Sequence, residues 1–404
     1  MLLKKGSKRT SRYFARDRWV HLVLLFMVTL VLYRLVTLQI VQATDLKAKG
    51  IERRTTDKSL RPERGAIFDA QGNVLAQSIP VKEIFADPKT LGILISEKKF
   101  KKTKEVVAQE LATILALKPE DVLEKLNKNQ SWVNLAHQVD IRKADEIMAL
   151  KIPGVGLSNE EKRIYPMGNF AASALGIVDG AGHGVEGVEY FYDKELFGMP
   201  GFKSQEQDTR ARSILDALHQ IDPTRPGNNI ALTIDSTIQY FVEQQLDEIQ
   251  KATKPKSVTI LAMDPMTGRI LGMGSRPSFD PTDYDKVTPD ERRNLAIGMS
   301  YEPGSTFKIV TGSAALEEGV IKPSDTFSDP GFLRIPPRLI TNWDSDQKPH
   351  GNVTFTQGMK ISSNVVLALV GGKLGKDAFY TYLKAFGFGS KTGIDISGEE
   401  SGLL

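Results

Sequence analysis

Hydrophobic positions change their spacing along the 404-residue chain, and each change marks a different kind of element. Nearest the N-terminus they are continuous: Trp19 to Leu38 reads WVHLVLLFMVTLVLYRLVTL, with His21 and Arg34 as the polar members. At ~1.5 Å of rise per residue such a run makes about 30 Å of helix, the hydrocarbon thickness of a bilayer. His21 and Arg34 each sit near an end, where an amphipathic or long side chain reaches the headgroups. Val41-Gln42-Ala43 is a passable cleavage site, but the run exceeds the ~7 to 15 residues of a signal-peptide core, so an uncleaved transmembrane anchor over residues 19–41 is predicted. No second span follows it.

Past the anchor the pattern becomes short and mixed. Residues 51–60, IERRTTDKSL, are polar and predict an extended juxtamembrane segment. In RPERGAIFDAQGNVLAQS a turn, Ala70 to Asn73, separates two strand-like runs, Ala66 to Asp69 and Val74 to Ala76. Residues 98–150 repeat apolar positions at helical spacing among lysines and glutamates, as in EVVAQELATILALKPEDVLEKL. Glycines dominate Gly176 to Gly187 without the Walker or dinucleotide spacing, so this stretch reads as a loop and not a phosphate cradle. A boundary falls near DPTRPGNN, Asp222 to Asn229. Beyond it IALTID predicts a strand, STIQYFVEQQLDEIQKA a helix capped by Ser236, and Val258–Met263 with Ile270–Met273 a hairpin around the turn Asp264 to Gly268. The length exceeds one ordinary domain, and the mixture predicts an α+β fold with helices packed on an antiparallel sheet.

Composition and charge narrow the function classes. The absence of cysteine excludes disulfides, cysteine nucleophiles and thiolate zinc sites, and the scattered His21, His137, His183, His219 and His350 match no metal-ligand spacing, so no metal or cofactor is expected. Residues 1–18 hold seven basic residues against Asp17, a basic tail that leaves 46 basic against 48 acidic residues elsewhere. The folded part therefore offers no basic surface for nucleic acid. The tail keeps the N-terminus in the cytoplasm, with residues from about 45 onward outside it, by the positive-inside rule.

The candidate chemistry lies in YEPGSTFKIV, Tyr301 to Val310. On a helix, Ser305 and Lys308 share one face at the positive N-terminal end, where a desolvated lysine loses its proton readily and can take one from a serine. The spacing alone is weak, because Ser96–Lys99 and Ser345–Lys348 match it within solvated segments, and a plain helix cap explains Ser305 as well. The apolar run that continues to Glu317 puts Lys308 within a core. A second constellation, KISSNVVLALVGG, puts Ser362 and Asn364 at the head of another apolar helix, where they either cap it or pass a proton and orient a substrate amide.

Together YEPGSTFK and ISSN resemble the first two motifs of serine acyl-transfer enzymes of the penicillin-binding type, which join Ser-x-x-Lys, Ser-x-Asn and Lys-Thr-Gly around one site. The single anchor, RGAIFDAQGNVLA, RIYPMGNFAASALGIV, GVEGVEYFYDKELFGMPG, LTIDSTIQYFVEQQL, AMDPMTGRILGMGSRPSFDP and FGFGSKTGIDISGEESGLL extend the resemblance to the class B penicillin-binding proteins along the whole chain. The resemblance implies an elongated pedestal or dimerisation domain over 46–221 and a transpeptidase domain over 222–404. It also implies a D,D-transpeptidase: Ser305 attacks the D-Ala-D-Ala carbonyl of a peptidoglycan stem peptide, Lys308 is the base, and Ser362 and Asn364 relay a proton and hold the substrate. β-Lactams would acylate the same serine, and the Ser305 N–H would form half of an oxyanion hole. Implied partners are a SEDS-type glycosyltransferase and division proteins at the membrane, and Glu302 inclines the resemblance toward the septal over the elongation branch.

Lys391-Thr392-Gly393 completes the pattern only in appearance. It lies 27 residues after Asn364 among glycines and serines, resembling a family loop and not the sheet-edge strand that carries the third motif. On this reading the transpeptidase domain is incomplete at Leu404: the chain as given fails to take fluorescent penicillin, whereas a version extended through the third motif takes it. The competing reading is a membrane-anchored binding module without activity; a β-lactamase or β-lactam sensor fits the pedestal and anchor less well.

Overall fold

A computed structural model describes residues 10–46, 49, 55–206, 220–344 and 348–404. The first nine residues of the basic tail, residues 51–54 and residues 345–347 of the second solvated Ser-x-x-Lys match lie outside the described residues. The chain divides into two units, Met1–Glu63 with Met199–Pro226, and Arg64–Gly198 with Gly227–Leu404.

In the first unit a helix, Thr10–Val36, runs on through the wider turn Thr37–Val41. Trp19–Val41, 23 residues, is long and apolar enough to cross a membrane. Thr29 and Thr37 donate their hydroxyls to the carbonyls of Leu25 and Tyr33 one turn back, at 2.8 and 2.7 Å, so neither adds an unpaired donor to the apolar run. Thr55–Leu60, from the segment expected to be extended, pairs antiparallel with Gly201–Glu206, which pairs with Gln220–Asp222.

A long strand organises the second unit. Val74–Ala86 outruns the short run expected there because Val81, Ile84 and Ala86 continue the inward face. It pairs antiparallel with Val133–Val139 and Val155–Ile164. The helical reading of 98–150 therefore needs correction: Lys104–Leu115, Pro119–Leu126 and Ile141–Ala149 are helices, but Val133–Val139 between them is a strand. Its inward residues, Val133, Leu135 and Val139, keep an even spacing that the flanking helical periods hide. They join Ile84, Leu111, Leu126 and Ile147 in one core.

A second core draws Ile67, Leu75, Tyr165 and Leu175 together with Ile234, Met273 and Ile396. The parallel pair Ile67–Phe68 with Ile230–Ala231 lies within it. Glu189, completely buried, accepts from Arg64 Nε at 2.8 Å, Arg163 Nε at 2.7 Å and the Tyr165 hydroxyl at 3.3 Å. Burial and the adjacent Glu189 carboxylate push the Tyr165 phenol far above its ordinary range. The glycine-rich loop serves packing: a Cβ on Gly184 would lie 1.9 Å from the Glu189 carbonyl oxygen.

The cap of Ser236–Thr253 is also a correction. Asp235 accepts from the Thr237 and Ile238 amides, whereas Ser236 donates to Asp69, because a carboxylate one residue earlier reaches the free N–H groups first. This helix lies on the antiparallel hairpin Val258–Met263 and Ile270–Arg276, pinned by buried Gln239, which bonds both the N–H and the C=O of Met273. A further core, with Ala315, Phe327, Val353, Phe355, Val366 and Val370, packs the helices Lys308–Glu317 and Asn364–Leu374 and the strand pair Thr326–Asp329 with Gly351–Thr354.

Candidate active site

Pro303 and Gly304 shape the entry to the site. Gly304 has φ +57°, which starts a tight turn, Gly304–Phe307, before the α-helix Lys308–Glu317. Ser305 is exposed in that turn, and its first N–H groups lack partners within the helix. The two residues expected on one helical turn thus straddle a tighter turn and the α-helix proper. Lys308 is half-buried and not within the core: the buried residues of its helix begin at Val310. That partial burial still pushes its ammonium below the ordinary lysine range.

The second constellation meets the first here. Lys308 Nζ donates to the Ser362 carbonyl at 2.6 Å and to Ser362 Oγ at 3.0 Å. Ser362 Oγ in turn bonds Ser305 Oγ at 3.0 Å. Ser362 therefore stands between the Ser305 hydroxyl and the Lys308 amine. It is not a helix cap; buried Ser363 caps Asn364–Leu374 by accepting from the Val366 amide. Asn364 begins that helix and donates its side-chain amide to the Thr341 carbonyl at 2.7 Å, which fixes its orientation beside Ser362.

Chemically, this row can move a proton. A neutral Lys308 amine keeps one N–H on the Ser362 carbonyl and offers its lone pair to the Ser362 hydroxyl. The hydroxyl rotors then turn so that Ser305 donates to Ser362 and Ser362 donates to Lys308, leaving Ser305 Oγ a nucleophile. An open groove of about 720 Å³, lined by Tyr301, Glu302, Pro303, Phe307 and Phe388 among others, begins next to this turn.

The other sequence matches lie elsewhere. Ser96 ends the helix Pro88–Ser96 and donates back to Ile93, while Lys99 pairs with Glu97 on the surface. Lys391 is exposed on irregular backbone, and the donors of Thr392 and Gly393 go to Glu399 of the same loop. Sequence reasoning missed Asp329, Asn342, Ser363 and His350, the polar groups behind Ser362. The doubled serine of ISSN was a signal, since two adjacent hydroxyls on one turn point different ways. Asp329 and Asn342, in contrast, belong to distant hairpin segments and carry no local mark.

Comparison with known proteins matches two family models to the chain. Residues 59–232 match the penicillin-binding protein dimerisation domain, and residues 258–404 match the penicillin binding protein transpeptidase domain. The chain is 32% identical over 403 residues, 98% of its length, to Stage V sporulation protein D of Bacillus subtilis, of which it covers 60%. It is 32% identical over 410 residues to peptidoglycan D,D-transpeptidase FtsI of Buchnera aphidicola, covering 100% of this chain and 70% of that one. It thus spans between 60% and 70% of the length of these relatives. Penicillin binding protein 2X of Streptococcus thermophilus superposes with a TM-score of 0.66 at 26% identity, over 86% of this chain and 55% of that one.

Proposed function

This chain belongs to the class B penicillin-binding proteins, and on that premise we propose that it is a membrane-anchored serine D,D-transpeptidase that crosslinks peptidoglycan stem peptides. The observation that carries the reading is the hydrogen-bonded row from Ser305 through Ser362 to Lys308. Ser305 Oγ adds to the D-Ala-D-Ala carbonyl as its proton passes through Ser362 to Lys308. The C–N bond then breaks, the amine leaves as D-alanine with a returned proton, and an acyl ester remains on Ser305. An amine of a neighbouring stem peptide attacks that ester, forming the crosslink amide and freeing Ser305. Unpaired N–H groups at the turn around Ser305 favour the oxyanion. β-Lactams would acylate Ser305 in the same way, the ring C–N bond breaking and the protonated amine staying tethered to the acyl ester.

The apolar helix Trp19–Val41 supports a single-pass anchor, and the basic residues before it support a cytoplasmic N-terminus with the catalytic domain on the far side of the membrane. Relatives named for FtsI and for sporulation favour work at a septum over side-wall elongation, as does Glu302 by resemblance. Within that setting a SEDS-type polymerase and division proteins are the expected partners. Lys391 to Gly393 are assigned to a loop outside the acylating row, with their donors directed to Glu399.

Fluorescent penicillin applied to membranes that contain the native protein should label it, and Ser305→Ala should abolish the label while the protein stays in the membrane fraction. Persistent labelling of Ser305→Ala overturns the assignment of the nucleophile. A wild-type protein that sits in the membrane without ever taking label supports the anchored binding module instead.

A further inference from the structure

Ser362 sits at φ +56°, a left-handed conformation that costs a non-glycine residue ~1–3 kcal/mol unless its surroundings impose it. Those surroundings are unusually polar for a protein interior. The next residue, Ser363, is completely buried, donates to Asp329 Oδ2 at 2.7 Å and accepts from the Val366 amide at 3.0 Å. Asn342 Oδ1 accepts from the Asn364 amide at 2.9 Å and from the Val365 amide at 3.3 Å, and lies 3.3 Å from Ser363 Oγ. Asn342 is itself fixed, because its Nδ2 donates to both oxygens of Asp329 at 2.9 and 3.0 Å. Asp329, with 0% exposure, is the hub: it also takes the Gly331 amide at 3.0 Å and faces His350 Nδ1 at 3.0 Å.

We propose that Asp329, Asn342 and His350 are positioning residues for the acyl-transfer reaction, a buried clamp that holds Ser362 Oγ between Ser305 and Lys308 and that His350 closes only while its ring is charged. The inference rests on the acyl-transfer reading of Ser305.

The role of charge follows from the second nitrogen of the ring. His350 Nε2 lies 2.8 Å from Asp344 Oδ2, so each ring nitrogen faces a carboxylate. Only the imidazolium donates to both; a neutral ring turns one lone pair against a carboxylate oxygen. Among the described residues no second hydrogen-bond donor reaches Asp344, and its Oδ1 is buried without a partner. Asn342 Nδ2, 3.4 Å from Nδ1, is committed to Asp329. Lys373, 4.9 Å from the Phe327 ring centroid, is a further cation near the far end of the Asn364–Leu374 helix. The bond to Asp329, the bond to Asp344 and both carboxylate charges raise the His350 pKa against the opposing effect of burial. Burial pushes Asp329 upward, but the donors Ser363, His350, Gly331 and Asn342 outweigh it and hold the carboxyl below its ordinary range. A raised histidine keeps the clamp intact below its folded-state pKa and loses it as pH rises through that value.

The test measures the second-order rate of acylation by fluorescent penicillin on the native membrane protein, as a function of pH, with thermal unfolding of each variant alongside. The wild type should lose rate on the alkaline side. His350→Gln should be slower below that limb by roughly 10- to 100-fold, the worth of a hydrogen bond to a charged group, and should lack the limb altogether. Asp329→Asn should slow acylation at least as much. His350 lies near the surface, so His350→Gln should fold even where Asp329→Asn does not, and it alone decides the question. A wild-type alkaline limb in His350→Gln, or losses of rate that only follow losses of folded protein, overturns the clamp. A wild type that takes no label at Ser305 overturns the acyl-transfer reading and this inference with it, whereas a normal wild type with indifferent variants overturns the inference alone.

Discussion

Ser362 Oγ lies 3.0 Å from Ser305 Oγ although 57 residues separate them, and it, not Ser305, is the hydroxyl that Lys308 reaches. On the proposed mechanism the amine therefore acts on Ser305 through a second serine. Ser362→Ala should lower the acylation rate by about 10²–10⁴-fold, the usual worth of a positioned proton carrier, with little change in the unfolding temperature. Because the row works as a unit, adding Ser362→Ala to Lys308→Ala should cost almost nothing further. Multiplying effects in that double variant would mean that the two residues serve separate steps.

Desolvation lowers the Lys308 pKa, and the sign of its consequences is set by that direction. The neutral amine is the acceptor, so acylation should rise with pH on the acid side, with a midpoint below the ordinary lysine value of 10.5. Lys308→Arg, which stays charged at any such pH, should remove acylation. In stability the charged form is the costly one: the cost is present below the folded-state pKa and fades as pH rises toward the unfolded value. Lys308→Met should accordingly raise the thermal midpoint at neutral pH and raise it less under alkaline conditions. An equal shift at both would separate the effect from ionisation.

Glu189 balances two buried guanidinium groups, Arg64 and Arg163, each about 4% exposed in its side chain. Glu189→Ala leaves both without their shared carboxylate, and breaking a buried pair this way costs ~3–5 kcal/mol. Denaturant unfolding should show that loss as a lower midpoint. Removal of Lys49, exposed and paired with Asp45, should leave the midpoint where it was.

Gly358 lies where the helix Phe355–Lys360 crosses Asn364–Leu374, and a Cβ there would come within 2.7 Å of Val366 Cγ1. Its carbonyl also takes the Ser363 amide at 2.8 Å. Gly358→Ala should cost about 1–3 kcal/mol through overpacking and should slow acylation as well, because the strained segment carries the Ser362 turn. Unfolding and penicillin labelling, measured together, check both; a stable variant with normal labelling would show that the helices separate without disturbing the turn.

The pattern of residues alone was enough for what depends on local physics. The anchor was legible because a predominantly apolar run, with His21 and Arg34 only near its ends, has one stable solution in lipid. The hairpin at 258–276 and the Ser-x-x-Lys and Ser-x-Asn motifs were legible because each is short and self-contained. The strand Val133–Val139 was hidden because seven residues between strong helices carry little periodicity of their own, and only pairing with Val74–Ala86 makes them extended. Ser236 was mistaken for a cap because composition cannot say which of two adjacent oxygens reaches the free amides. The order of the row Ser305–Ser362–Lys308, and the ring of Asp329, Asn342 and His350 behind it, came from the tertiary structure alone. Each of those contacts closes a long loop, so its partners are chosen by the packing of strands and helices and not by neighbours along the chain.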